Sequence, residues 1–109
     1  IGGNKSYDAR EKYPNGKLIA DKQFVDFANA LRTYQNAGVK VIIFGLPYRG
    51  DLSRQADREY YDTVLAKSLA PYGLQYISIM QGSKGLNPTT MMYTTGDQKL
   101  LDIILISKP

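Results

Sequence analysis

A chain of 109 residues fits one domain and leaves little room for a second, so we expect a single domain over residues 1–109. The absence of Cys and His excludes disulfides, thiolate chemistry and the usual general base near neutral pH. The formal net charge is +4, but acidic and basic residues alternate, as at Asp57 and Arg58, which is typical of a solvated mixed surface. We therefore expect no nucleic-acid partner. The chain has no run of about 18 apolar residues, so we expect no membrane span, and we predict no metal site and no cofactor.

The first recognisable elements follow a polar opening stretch. Residues 5–17 contain a predicted turn at Pro14-Asn15-Gly16. The next segment predicts a helix over residues 22–37, with Asp21 as its N-cap and Gly38 just beyond its end. The apolar stripe of this helix is predicted at Phe24, Phe27, Ala28, Leu31 and Tyr34.

A strand, a second helix and another strand are predicted next. The apolar run of residues 39–44 is typical of a strand that is buried on both faces. Residues 53–70 predict a helix capped by Ser53 and ended by Pro71 and Gly73. Its inward-facing residues are predicted to be Ala56, Tyr60, Val64 and Leu65. Residues 74–80 predict the following strand.

This alternation of helices and strands predicts an α/β fold with a parallel sheet. The first helix needs an earlier strand to cross over from, and Ile1-Gly2 is the natural end of such a strand, truncated here. A vector remnant or a free terminus is the alternative for these residues. Residues 97–107 fit a helix or a buried strand equally well, and their periodicity does not decide between the two.

Parallel sheets bind ligands beyond the carboxyl ends of their strands, and this rule selects three loops. They begin at Gly2, at Pro47 and at Gln81. Gly2 and Asn4 could supply the donors of an oxyanion hole, although Asn4 alone also fits a simple turn residue. The candidate binding residues are Tyr48, Arg49, Asp51 and Gln81.

Each candidate also has a structural interpretation. Arg49 could clamp an anion or simply be solvated, and Asp51 could orient a hydroxyl or begin the second helix. Ser83 lies in a Gly-flanked loop that matches no nucleophile motif, and no His is present to activate it.

Gly2-Gly3-Asn4 at a strand end resembles the G-x-N part of the G-x-N-D block of SGNH (GDSL-like) hydrolases. The stretches "FVDFANALRTYQNAGVKVIIFGLPYRG" and "REYYDTVLAKSLAPYGLQYISI" are similar to the helix, strand and loop segments that follow this block in the family. The resemblance implies a three-layer α/β/α sandwich with a small parallel sheet, flavodoxin-like or SGNH-like and incomplete in this chain. It also implies that Asn4 corresponds to the oxyanion-hole Asn.

The chain departs from that family in its catalytic residues. No G-D-S block precedes Gly2, Lys5 follows Asn4 where the family has Asp, and Leu100 stands where the His of the D-x-x-H pair would follow Asp97. We therefore expect no acyl transfer from this chain alone.

Three functions remain open. The chain could be part of a carbohydrate esterase or deacetylase completed by a longer chain or a partner subunit, or a non-catalytic glycan-binding relative. It could also be a structural or assembly domain of a larger carbohydrate-active or phage tail protein. Among cellular locations, an extracellular or periplasmic one is favoured.

Overall fold

The computed structural model describes residues 3–48 and 55–83, with side chains from residue 5 onward. These residues form a compact mixed α/β unit with helices α1 (Ala9–Lys12), α2 (Lys22–Asn36) and α3 (Gln55–Leu69). Strand β1 (Ile42–Phe44) precedes α3 and strand β2 (Gln75–Ile77) follows it, while Gly3–Ser6 and Ala70–Tyr72 are short 3₁₀ turns. The predictions for Ile1-Gly2, Ser53 and residues 97–107 fall outside the described residues.

Strands β1 and β2 pair in parallel, as the alternating pattern predicted. Ile42 lies opposite Gln75 and Phe44 lies opposite Ile77, and the Gly45 N–H extends the ladder by donating to the Ile77 carbonyl at 3.0 Å. Helix α3 is the crossover between the two strands, so the described sheet is one β-α-β unit.

Helix α2 has the predicted bounds to within one residue. The Asp21 carboxylate accepts a hydrogen bond from the Phe24 N–H at 3.2 Å, which confirms the predicted N-cap. Gly38, with φ of 92°, follows the helix in a conformation that favours glycine. The predicted apolar stripe is too wide, because only Phe24 and Ala28 are buried and Tyr34 is 60% exposed.

Helix α3 is present, and Val64 and Leu65 are buried as predicted, but the buried face of its first turns differs from the predicted one. Ala56 is exposed and Tyr60 is only half-buried, whereas the adjacent Asp57 and Tyr61 are buried. Two charged residues, Asp57 and Arg58, occupy the first turn of this buried face, which contradicts their assignment to a solvated surface. The apolar pattern could not show this because their burial depends on hydrogen-bond partners from distant segments.

The prediction that the first strand is buried on both faces is wrong for the described residues. Ile43 is buried on the side where α3 packs, while Ile42 and Phe44 are 43% and 40% exposed. Alternate residues of a strand point to opposite faces, so the described helices cover β1 on one face. Apolar β-branched residues were therefore not a sufficient sign of burial here.

The opening stretch contains structure that the sequence did not predict. Ser6 and Ala9 are fully buried, and both the 3₁₀ turn Gly3–Ser6 and α1 pack against α3. The core beneath them is formed by buried apolar residues from the three helices, from β1 and from the connecting segments. Its largest members are Leu18, Phe24, Ile43, Leu46, Tyr61, Leu65, Leu69, Leu74 and Met80. Within the described part of the chain, no helix is both long and apolar enough for a membrane span.

Candidate functional site

The candidate site is the edge of the sheet where β1 and β2 end, formed by residues 45–48 and 78–83; we call it the strand-end edge. The Tyr48 N–H donates to the Ser83 Oγ at 2.8 Å, and the Ser83 hydroxyl donates to the Met80 carbonyl at 3.2 Å. Ser83 is 1% exposed, so these hydrogen bonds are shielded from water. The two loops are thus joined into one surface.

The first turn of α3 contacts both loops of this edge. Arg58 Nη2 donates to the Pro47 carbonyl at 2.8 Å, and Arg58 is only 6% exposed. Gln55 Nε2 lies 3.5 Å from the Met80 sulfur, so the same turn contacts the loop after each strand. A buried guanidinium on a backbone carbonyl fixes the position of the first loop.

The second charged residue of this turn holds the chain's opening segment. The Asp57 carboxylate accepts from the Arg10 backbone N–H at 3.0 Å and from Arg10 Nε and Nη2 at 3.2 and 3.3 Å. The Arg10 side chain is 62% exposed and that of Asp57 is 10% exposed. A carboxylate in the first turn of a helix is also favoured by the helix dipole. Asp57 therefore attaches α1 to α3.

A polar cluster lies beside Gly45 at the start of the strand-end edge. Asp62 of α3 accepts hydrogen bonds from the Tyr76 hydroxyl and, at 2.5 Å, from the Ser78 hydroxyl. Burial first, and then the bond to the Asp62 carboxylate, raise the pKa of the Tyr76 phenol above its ordinary value. Tyr76 is therefore a protonated donor at neutral pH and contributes to positioning α3 on the sheet.

The structure places the predicted site residues unevenly. Tyr48 is half-buried and Gln81 is exposed, and both lie on the two joined loops. Asn4 lies in the 3₁₀ turn Gly3–Ser6, where only its backbone is described. Gly2, Arg49 and Asp51 lie outside the described residues. An oxyanion hole at Gly2 and Asn4 therefore remains a prediction.

Sequence reasoning missed the residues that hold the edge together. Arg58, Asp62 and Tyr76 are ordinary members of a helix and a strand, and no motif marks them. The one available signal was the occurrence of charged residues on the helical face that also carries Val64 and Leu65. Charges at such positions require partners, which only the three-dimensional arrangement identifies.

The chemistry available at the edge is recognition by hydrogen bonds and aromatic contact. The Ser83 hydroxyl already has a donor and an acceptor partner, so it is poorly placed to react. Among the described side chains, no three acidic residues lie close enough together to hold a metal ion. The half-buried ring of Tyr48 and the exposed amide of Gln81 are groups of this edge that a ligand could contact.

Comparison of the chain with protein-family models, with curated proteins and with solved structures finds no match.

Proposed function

We propose that this chain is a degenerate SGNH-like domain that binds carbohydrate at the strand-end edge without cleaving it. The observation that carries the proposal is the joining of the loops after β1 and β2 through the Tyr48 N–H and Ser83 Oγ. This bond creates a fixed surface at the place where parallel sheets bind ligands. Tyr48 supplies an aromatic ring for a sugar face, and Gln81 supplies an amide for sugar hydroxyls.

The proposed fold is the three-layer α/β/α sandwich of that family. The parallel β-α-β unit is consistent with one half of such a fold. Ile42 and Phe44 present apolar surface on the sheet face opposite α3, where the proposed architecture has its other helical layer. In this proposal Asn4 follows a third parallel strand and lies on the same edge as Tyr48 and Gln81.

The binding proposal is tested by a glycan array followed by amide NMR titration with any sugar that binds. We expect shifts at Tyr48, Gln81 and Gly82, and we expect Tyr48→Ala and Gln81→Ala to weaken binding. Tyr48→Ala keeps the backbone bond to Ser83, so it removes the ring without separating the loops. Tyr34→Ala is the matched control because Tyr34 is 60% exposed on α2. A flat array, or equal loss in the control, would contradict the proposal.

The hydrolase alternative is separated from binding by a simple assay. Incubating the purified chain with p-nitrophenyl acetate should give no turnover above buffer, since the chain contains no His. Turnover that copurifies with the chain and disappears in Ser83→Ala would show that the edge is catalytic. Turnover that is unaffected by this variant would place the chemistry elsewhere in the chain.

The position of Asn4 can be measured directly because the chain has no native Cys. Spin labels on the double variant Asn4→Cys, Gln81→Cys report the distance between the two loops. Three adjacent parallel strands would place them within about 10 Å plus the reach of the labels. A separation approaching the 36 Å long axis of the molecule would refute the common edge.

A further inference from the structure

A cavity separate from the strand-end edge lies between the segment before α2 and the end of α3, and we call it the basic groove. It has a volume of about 250 Å³. Its walls combine cationic, aromatic and aliphatic side chains from four segments of the chain. They are Lys17, Ile19, Phe24, Arg32, Lys67, Ser68, Pro71 and Tyr72.

The charge of the groove is one-sided. Lys17, Arg32 and Lys67 are exposed, and the lining contains no carboxylate. None of these three takes part in the ion pairs found among the described residues. A neighbouring cavity, which shares Lys17 with the basic groove, is lined by Asp21. The Asp21 carboxylate is already paired with Lys5 Nζ at 2.6 Å. Three cations around one cavity favour an anion that carries more than one negative charge.

The walls of the groove are fixed by buried contacts. The Leu18 N–H donates to the Ser68 Oγ at 2.8 Å, which ties the segment carrying Lys17 and Ile19 to α3. Phe24 and Tyr72 pack edge to face with ring centroids 6.1 Å apart, which ties α2 to the 3₁₀ turn after α3. The cations therefore extend from a framework that exists before any ligand arrives.

The remaining wall is apolar and open to solvent. Ile19 is 76% exposed and lines the groove together with Pro71 and Tyr72. An aliphatic side chain and an aromatic ring in one lining suit the flat face of a ring. The volume lies below the ~300–1,000 Å³ of sites for drug-sized ligands, so a ligand with a single ring fits best.

We propose that the basic groove binds a phosphate monoester that carries one apolar ring. The phosphate contacts Arg32, Lys67 and Lys17, and the ring packs on Ile19 and Tyr72. Guanidinium and ammonium groups together provide both bidentate and point-charge contacts to phosphate oxygens. The site is separate from the proposed carbohydrate edge and does not depend on it.

The test is a titration with phenyl phosphate at low ionic strength, followed by amide NMR and calorimetry. We expect shifts around Lys17, Arg32 and Lys67, and none around Gln81. Arg32→Gln and Lys67→Gln should each weaken binding about threefold, the scale of an exposed ion pair. The control is Lys40→Gln, which removes the same charge from an exposed residue outside the lining. Equal weakening in the control would show general charge attraction and overturn the site.

Further probes separate the two parts of the ligand. Ile19→Ser should weaken phenyl phosphate but leave inorganic phosphate unchanged, and it should not affect folding because Ile19 is 76% exposed. Benzoate, with a single negative charge, should bind more weakly than phenyl phosphate. Benzoate binding as tight as phenyl phosphate would refute the preference for a doubly charged anion. No binding of phenyl phosphate at millimolar concentration would refute the whole proposal.

Discussion

Gly45→Ala is the substitution for which the structure gives the sharpest expectation. Gly45 follows β1 directly, and its N–H donates to the Ile77 carbonyl. A Cβ at this position would lie 2.7 Å from Asp62 Oδ1 and 2.8 Å from Tyr76 Cζ, and still closer to the Tyr76 hydroxyl oxygen. Gly45 is not among the residues with positive φ, so the cost comes from packing alone.

The size of the effect follows from what must move. Overpacking a core usually costs about 1–3 kcal/mol. Relieving the overlap displaces the Tyr76 phenol from Asp62, and a hydrogen bond to a charged group contributes about 1.5–3 kcal/mol. Together we expect Gly45→Ala to lower the free energy of unfolding by about 2.5–6 kcal/mol. A small domain has about 5–15 kcal/mol in total, so the variant should lose a substantial part of its stability.

Urea unfolding followed by far-ultraviolet circular dichroism measures this loss. Gly38→Ala is the control, because Gly38 has a φ of 92° with nothing within 4 Å of the added Cβ, and it should cost only about 1–2 kcal/mol. Adding Tyr76→Phe to Gly45→Ala removes the closest overlapping atom, so the two losses should be less than additive. Equal losses for the two glycine variants, or full additivity with Tyr76→Phe, would refute the packing explanation.

Three further perturbations test other contacts. Asp21→Ala should cost about 1–2 kcal/mol by removing the N-cap of α2. The hydrogen bond from Lys5 also lowers the pKa of Asp21, so the stabilisation by Asp21 should be complete above the ordinary carboxyl pKa of about 4 and be lost as the pH falls from there through the lowered pKa, as urea midpoints against pH will show. Ser68→Ala should lower the free energy of unfolding by about 1–3 kcal/mol, because the buried Leu18 N–H loses its acceptor. A loss below about 0.5 kcal/mol would contradict this expectation. Burial raises the pKa of Tyr76, so the stabilisation by its protonated phenol should be fully present below the ordinary tyrosine pKa of about 10. The free energy of unfolding should fall as the pH rises beyond that value, and it should fall less in Tyr76→Phe.

The elements that the sequence predicted well are those whose signals are local. Asp21 and Gly38 define the ends of α2 through the chain's own neighbouring backbone, and the structure agrees to within one residue. The parallel pairing of β1 with β2 was also predictable, because a helix between two short apolar runs leaves few alternatives. In both cases the deciding contacts join residues that are close in sequence or connected by one crossover.

The elements that were missed depend on contacts between distant residues. Helix α1 has only four residues and no apolar stripe, and it is attached by the bonds of Arg10 to Asp57, which is 47 positions away. The buried face in the first turns of α3 differs from the predicted one because Asp57 and Arg58 have partners in other segments. Hydrophobic periodicity carries no information about such partners, since it treats every charge as solvated.

The same reasoning applies to the candidate site, where Ser83, which the sequence did not favour as a nucleophile, has a structural role. Ser83 lies in a Gly-flanked loop, and its hydroxyl is the group through which the loops after β1 and β2 meet. A nucleophile must present its oxygen to the substrate. Ser83 is only 1% exposed, and its hydroxyl both accepts one hydrogen bond and donates another. The groups of the edge that could contact a ligand include the half-buried Tyr48 ring and the exposed Gln81 amide. The two loops are therefore held in place by Ser83, which is the feature on which the proposed binding surface depends.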